Sequence, residues 1–269
     1  MSLAPHPPHT SLLDGPDGAL EYLLTGSGEP TTVFGHGLAG SIETTRPFGS
    51  GVEGTRAFFH FRGHGASAAP ETGWTYAALS AELRAVADHV GATRALGVSM
   101  GAGALCHLLE ETPDRFERLV IVMPAVIDRP RDDEAIDRLV AMAEEADHRD
   151  VEGMARLLLL DQPEEVRDQP AVRLWCRRQA ATLVGTPVSR ALRELPHGIP
   201  MRDRAALRQV AAPALVLTQE HDAAHPVWVA EQLAAELPDA RLEVLPAGGI
   251  MWRHRARVRD LIGGFLSGA

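Results

Sequence analysis

Short apolar runs alternate with helix-period segments along most of this 269-residue chain, and that alternation restricts the possible folds more than any other feature. The runs 20–24, 31–35, 55–60, 94–98, 119–123, 214–218 and 241–245 read as strands. Most are apolar throughout, as strands covered on both faces must be. Segments 75–89, 100–110, 227–236 and 253–265 carry helical periodicity between them. Strands that alternate with helices predict an α/β fold: a mostly parallel sheet with helices on both faces.

The alternation lapses once. From 128 to 211 no strand pattern is present, only helix-like pieces divided by Pro163, Pro170, Pro187, Pro196 and Pro200. That excursion is too long for a loop. We expect a helical cap over the carboxyl edge of the sheet, where open α/β sheets bind ligands. The expected organisation is therefore a core of 1–127 and 212–269, with 128–211 inserted as the cap.

Composition removes several function classes. With 36 acidic against 26 basic residues the net charge is −10, which repels phosphate backbones and argues against a nucleic-acid partner. Every basic residue is Arg, so neither a Schiff-base lysine nor a P-loop lysine exists. Cys106 and Cys176 lie far apart in helical segments, giving neither a disulfide framework nor a zinc spacing. Segment 1–10 is rich in Pro and His and lacks the basic and apolar regions of a signal peptide. The longest apolar stretches, 119–124 and 157–160, are too short to span a bilayer. The expectation is a cytoplasmic protein that acts on a small molecule, without membrane, metal or organic cofactor.

The chemistry concentrates in four post-strand turns. Gly97-Val98-Ser99-Met100-Gly101 is a G-x-S-x-G sequence between a strand and a helix, the setting in which a sharp turn lifts a serine hydroxyl over the sheet edge. Phe34-Gly35-His36-Gly37-Leu38 is a glycine-flanked turn able to aim backbone N–H groups at a point above that serine. His60-Phe61-Arg62-Gly63-His64-Gly65-Ala66-Ser67 follows the third strand run. Glu220-His221-Asp222-Ala223-Ala224-His225-Pro226 follows the run 214–218; there Asp222 is placed either to orient an imidazole or to cap the next helix.

In order and spacing these motifs resemble the α/β-hydrolase fold, and the likeness covers nearly the whole chain. The resemblance implies Ser99 as nucleophile, Asp222 as triad acid, and the N–H groups of Leu38 and Met100 as oxyanion donors. It also implies a substrate pocket beneath the cap. Two positions depart from the pattern. Members of the family carry the catalytic histidine after the last strand, where this chain reads Leu245-Pro246-Ala247-Gly248-Gly249-Ile250-Met251-Trp252-Arg253-His254. The aligned Gly249 and Ile250 cannot move a proton. Relatives also show D-x-R-G-H-G where this chain has His60.

An activated serine needs a base within hydrogen-bond reach. His254 is the first choice, brought back by the flexible pair Gly248-Gly249, and His60 is the second. His225 shares a loop with Asp222 but reads as a helix-start residue. His36, His60 and Trp252 are the expected substrate-binding side chains. The leading functional expectation is ester or thioester hydrolysis of a small apolar carbonyl compound through Ser99. Two others stay open because the usual imidazole is missing. One is a non-hydrolytic enzyme of secondary metabolism that performs proton transfer, cyclisation or carbon–carbon chemistry. The other is a binding protein without turnover.

Overall fold

A computed structural model describes residues 9–131 and 134–268; the Pro- and His-rich segment 1–8 lies outside them. Eight strands form one sheet in the order β1-β2-β4-β3-β5-β6-β7-β8. They are β1 (Ser11–Gly15), β2 (Gly18–Thr25), β3 (Thr31–Gly35), β4 (Thr55–Phe59), β5 (Arg94–Val98), β6 (Arg118–Val122), β7 (Ala214–Gln219) and β8 (Ala240–Leu245). β1, β2 and β4 pair antiparallel, and every other neighbouring pair is parallel. The chain reverses direction across the sheet between β3 and β5, so the turns after these two strands face each other at the carboxyl edge.

Strand side chains alternate between two cores, because successive Cβ atoms point to opposite faces. Val33, Leu119, Ile121 and Val216 join one cluster with residues of α2 (Tyr76–His89), α3 (Met100–Glu111) and α8 (Val227–Glu236). Phe34, Val120, Val122 and Leu217 join the other, with α1 (Ile42–Thr45) and α9 (Arg255–Ser267). The apolar runs are thus uninterrupted because both faces are covered. Helix α2 begins where the Thr75 side chain accepts from the Ala78 amide, an N-cap that satisfies one of the donors a helix start leaves open.

β1 was not expected from the sequence. It is a largely exposed antiparallel edge strand with little apolar content. Its one signal is the turn Gly15-Pro16-Asp17-Gly18, which joins it to β2.

Between β6 and β7 lie α4 (Glu134–His148), α5 (Val151–Leu160), α6 (Pro170–Leu183), α7 (Val188–Glu194) and three short 3₁₀ turns, with no strand among the described residues. These helices have a core of their own, formed by Met142, Met154, Val172, Cys176 and Leu183 among others. Ala39, from the turn after β3, belongs to that core and ties it to the sheet edge. Among the described residues no helix is long and apolar enough to cross a membrane.

Candidate active site

Ser99 stands between β5 and α3 at φ 50° and ψ −106°, a left-handed conformation that a residue with a Cβ adopts at a cost. The surrounding structure enforces it. The Ser99 amide donates to the Val122 carbonyl at 2.9 Å, and the Gly101 amide to the His36 carbonyl at 3.1 Å. A Cβ on Gly97 would lie 2.4 Å from the Gly101 carbonyl oxygen, and one on Gly101 only 2.5 Å from that of Gly35. Both glycines are required so that strand, elbow and helix can pass this closely. The turn presents the serine hydroxyl to a cavity under the cap.

The imidazole that meets it is that of His225. Its Nε2 lies 2.9 Å from Ser99 Oγ, and its Nδ1 lies 3.1 Å from each Asp222 carboxylate oxygen. An ionised carboxylate only accepts, so Nδ1 carries the proton and Nε2 is left to accept from the serine hydroxyl. The local chain explains how two residues only three apart converge. Asp222 Oδ1 accepts the amides of Ala224 and His225, each at 3.1 Å, folding the loop into an Asx turn. His221, at φ 58°, makes the sharp bend before it. Gln219 Nε2 fixes the other oxygen by donating to Oδ2 at 2.9 Å. Burial alone would raise the Asp222 pKa; the His225 imidazole and these hydrogen bonds outweigh it and hold the carboxyl well below its ordinary range.

The two histidines expected to supply the base lie elsewhere. After β8 the chain forms a π-helical turn (Gly249–Arg253), entered through Gly248 and Gly249 at φ 129° and 86°. That wide turn carries His254 on to the start of α9, where its Nε2 lies 3.4 Å from the Ala247 carbonyl. His254 does not line the cavity that holds Ser99. His60 is buried and fully engaged: Nδ1 donates to Glu21 at 2.8 Å, and Nε2 accepts the Ile42 amide at 3.0 Å. It fastens β2 to the start of α1 and does not reach the cavity. His36 is likewise internal, donating from Nδ1 to its neighbour's carbonyl, Gly37 O, at 2.7 Å and accepting the Phe61 amide at 3.0 Å. Burial, followed by the nearby His64 and His60, drives its pKa well below the ordinary value and keeps it neutral. Neither His36 nor His60 is placed to bind substrate. Both instead shape the turn that carries Leu38.

Trp252 does line the cavity. Its Nε1 donates to Gln162 Oε1 in the cap at 2.9 Å, and its ring meets Trp175 edge-on with centroids 5.9 Å apart. The cavity holds about 480 Å³. Phe48, Ile250 and Leu158 contribute to a predominantly apolar wall. Over the reacting groups stands a cap carboxylate, Asp161, paired with Arg138 at 2.6 Å. Burial raises its pKa, with Arg138 and His225 opposing.

The amides of Leu38 and Met100 donate to no protein group among the described residues. Met100 opens α3, where an N–H has no acceptor within the helix.

His225 could not be recognised from sequence as the residue that meets Ser99. A histidine three residues after an acid in a post-strand loop looks like a helix start, and only the folded sheet brings it to a serine 126 residues away. The available hint was negative, the absence of an imidazole at Gly249 and Ile250.

Comparison with known proteins agrees with this architecture. A family model describing the alpha/beta hydrolase fold matches residues 30–251. Among solved structures, carboxylesterase CesB of Bacillus subtilis superposes with a TM-score of 0.81 at 18% identity, over 98% of this chain and 93% of that one. An esterase of Exiguobacterium antarcticum gives 0.76 at 20% identity, covering 97% of this chain and 100% of that one. The enol-lactonase of Burkholderia xenovorans gives 0.73 at 22% identity, over 96% and 100%. No curated protein sequence matches the chain.

Proposed function

The chain belongs to the alpha/beta hydrolase fold family, and from that membership we propose that it is a serine-dependent ester hydrolase acting on small, mostly apolar carbonyl compounds. The observation that carries the reading is the contact of His225 Nε2 with Ser99 Oγ at 2.9 Å, with Asp222 behind the imidazole. Ser99 Oγ attacks the carbonyl carbon while Nε2 takes its proton. The tetrahedral oxyanion is received by the amides of Leu38 and Met100, which have no competing protein acceptor among the described residues. The imidazolium, stabilised by Asp222, then protonates the departing alcohol oxygen, and water repeats the sequence in reverse to free the acid. The contact of His225 with Ser99 supports the hydrolytic reading over the non-hydrolytic and binding ones, which assumed a serine without a base.

A fluorophosphonate probe tests the reading, because it reacts covalently only with an activated serine. The parent protein should label and Ser99→Ala should not. His225→Ala should slow labelling by at least about 1000-fold, while His254→Ala labels like the parent. Labelling of His225→Ala at the parent's rate would overturn the assignment.

A further inference from the structure

Ser99 opens onto two cavities. Besides the large one, a second of about 120 Å³ is walled by Ser99, Leu38 and His225 and runs inward to Tyr76, Leu195 and Pro196. The larger cavity reaches the surface, where Glu43 and Arg255 in its wall are exposed; no residue of the smaller one is exposed. The smaller cavity is the narrower of the two, about a quarter of the larger one's volume, with a wall of buried and half-buried residues that includes Arg131 and Asp161.

Its inner wall holds an unusual side chain. Tyr76, the first residue of α2, is only 8% exposed. Its ring is held between Gly103 and Gly198, where added Cβ atoms would approach it to 2.3 Å and 3.5 Å. Its hydroxyl makes no hydrogen bond among the described residues, and it is not one of the sealed polar atoms that lack a partner. The side chain is buried while its oxygen stays accessible, and the cavity whose wall Tyr76 forms is the space from which a partner can come. Burial pushes the Tyr76 pKa up to about 12, with Arg131 nearby opposing, so the group stays a donor throughout the neutral range.

We propose that the smaller cavity is the acyl subsite and that the Tyr76 hydroxyl selects short acyl groups bearing an oxygen acceptor beyond the scissile carbonyl, as in alkoxy-, hydroxy- or oxo-acids. The proposal rests on the ester-hydrolase reading. It follows from the order of product release. The Ser99 Oγ–carbon bond forms, the carbon–oxygen bond to the alcohol breaks, and His225 gives that oxygen its proton. The alcohol must depart while the acyl group is still attached, so it occupies the larger cavity with the exposed mouth. The acyl group stays behind in the narrower one, against Tyr76.

The experiment measures kcat/KM for 4-nitrophenyl methoxyacetate and 4-nitrophenyl butanoate, whose acyl groups differ by one oxygen in place of a methylene. Parent and Tyr76→Phe are compared. Taking the methoxyacetate-to-butanoate ratio in each protein and dividing one by the other cancels the intrinsic reactivity of the esters. Phenylalanine keeps the ring between Gly103 and Gly198. Loss of one hydrogen bond to the substrate predicts that Tyr76→Phe lowers the ratio about 5- to 30-fold. An unchanged ratio overturns the subsite, whether both rates hold or both fall together, the latter marking Tyr76 as a packing residue. If the parent hydrolyses neither ester, the ester-hydrolase reading itself fails and the subsite falls with it, an outcome distinct from an unchanged ratio.

Discussion

Asp222 combines two tasks that are separable by substitution. Its carboxylate orients the His225 imidazole, and one of its oxygens also folds the loop by accepting the Ala224 and His225 amides. Asparagine keeps an oxygen for the loop but loses the charge that stabilises the imidazolium and fixes its tautomer. Asp222→Asn should therefore lower kcat/KM for an activated ester by about 10³- to 10⁴-fold with little change in Tm. Asp222→Ala should lose both activity and loop stability. Retention of activity within tenfold in the asparagine variant would show that the carboxylate does not orient the base. His60 illustrates the same economy in a packing role. The aspartate expected at its position by family resemblance only accepts, and it would repel Glu21, whose carboxylate lies 2.8 Å from His60 Nδ1. A histidine donates to Glu21 and still accepts the Ile42 amide, so the departure read in the sequence reflects a local partner.

At the level of elements, the turn after β3 and the loop after β4 are joined by three buried histidines. The rings of His36 and His64 are 4.6 Å apart, and those of His36 and His60 are 5.8 Å apart. His64 donates from Nδ1 to the Arg62 carbonyl at 2.9 Å, while its Nε2 is buried without a partner. Burial is the main cause that lowers its pKa to about 4, with His60 adding to it. An unfolded histidine titrates near 6.5, so between about pH 6.5 and 4 the unfolded chain holds a proton that the folded one refuses. Stability from this group is full above that window and is lost as pH falls through it. The difference corresponds to about 3 kcal/mol over the whole window. His64→Gln should consequently lose less unfolding free energy than the parent between pH 7 and pH 4.5 in urea titrations, by about 2 kcal/mol or more. Equal losses in the two proteins would mean that His64 does not sense acid. The R-G-H-G sequence marked this loop as a motif, but only the structure shows that its histidines meet that of the preceding turn. Periodicity reports neighbours on one element and is silent about contacts between loops from different strands. It located β3, β5 and the helices α2, α3 and α8 to within a residue or so for the converse reason: each carries its own apolar pattern, set by the helices that cover both faces of the sheet. The base of the candidate site was illegible because the site is made of four loops, and which imidazole meets Ser99 depends on how each loop bends.

Across the whole molecule, the helices α4 to α6 have a core of their own, while the end of the cap, through Leu195, Met201 and Leu207, joins the sheet-side core; polar contacts add to this apolar packing. Gln179 Nε2 in α6 donates to the Ala39 carbonyl at 2.8 Å, and Trp252 Nε1 donates to Gln162 at 2.9 Å. Arg131 donates to the Ala224 carbonyl in the loop between Asp222 and His225. The cap is therefore tied to the same turns that carry Leu38 and His225, and its loosening has direct access to the candidate site. Regions with fewer cooperative contacts open at lower free energy than the central strands. Amide hydrogen exchange should show α5 and α6 less protected than β5 and β6. Gln179→Ala should lower protection further across α6 and in the turn around Ala39 while leaving β5 and β6 unchanged, because the deleted bond spans cap and sheet edge and no central strand. Uniform protection across α6 and β6, or a Gln179→Ala effect spread evenly over the sheet, would show that cap and core unfold as one cooperative unit.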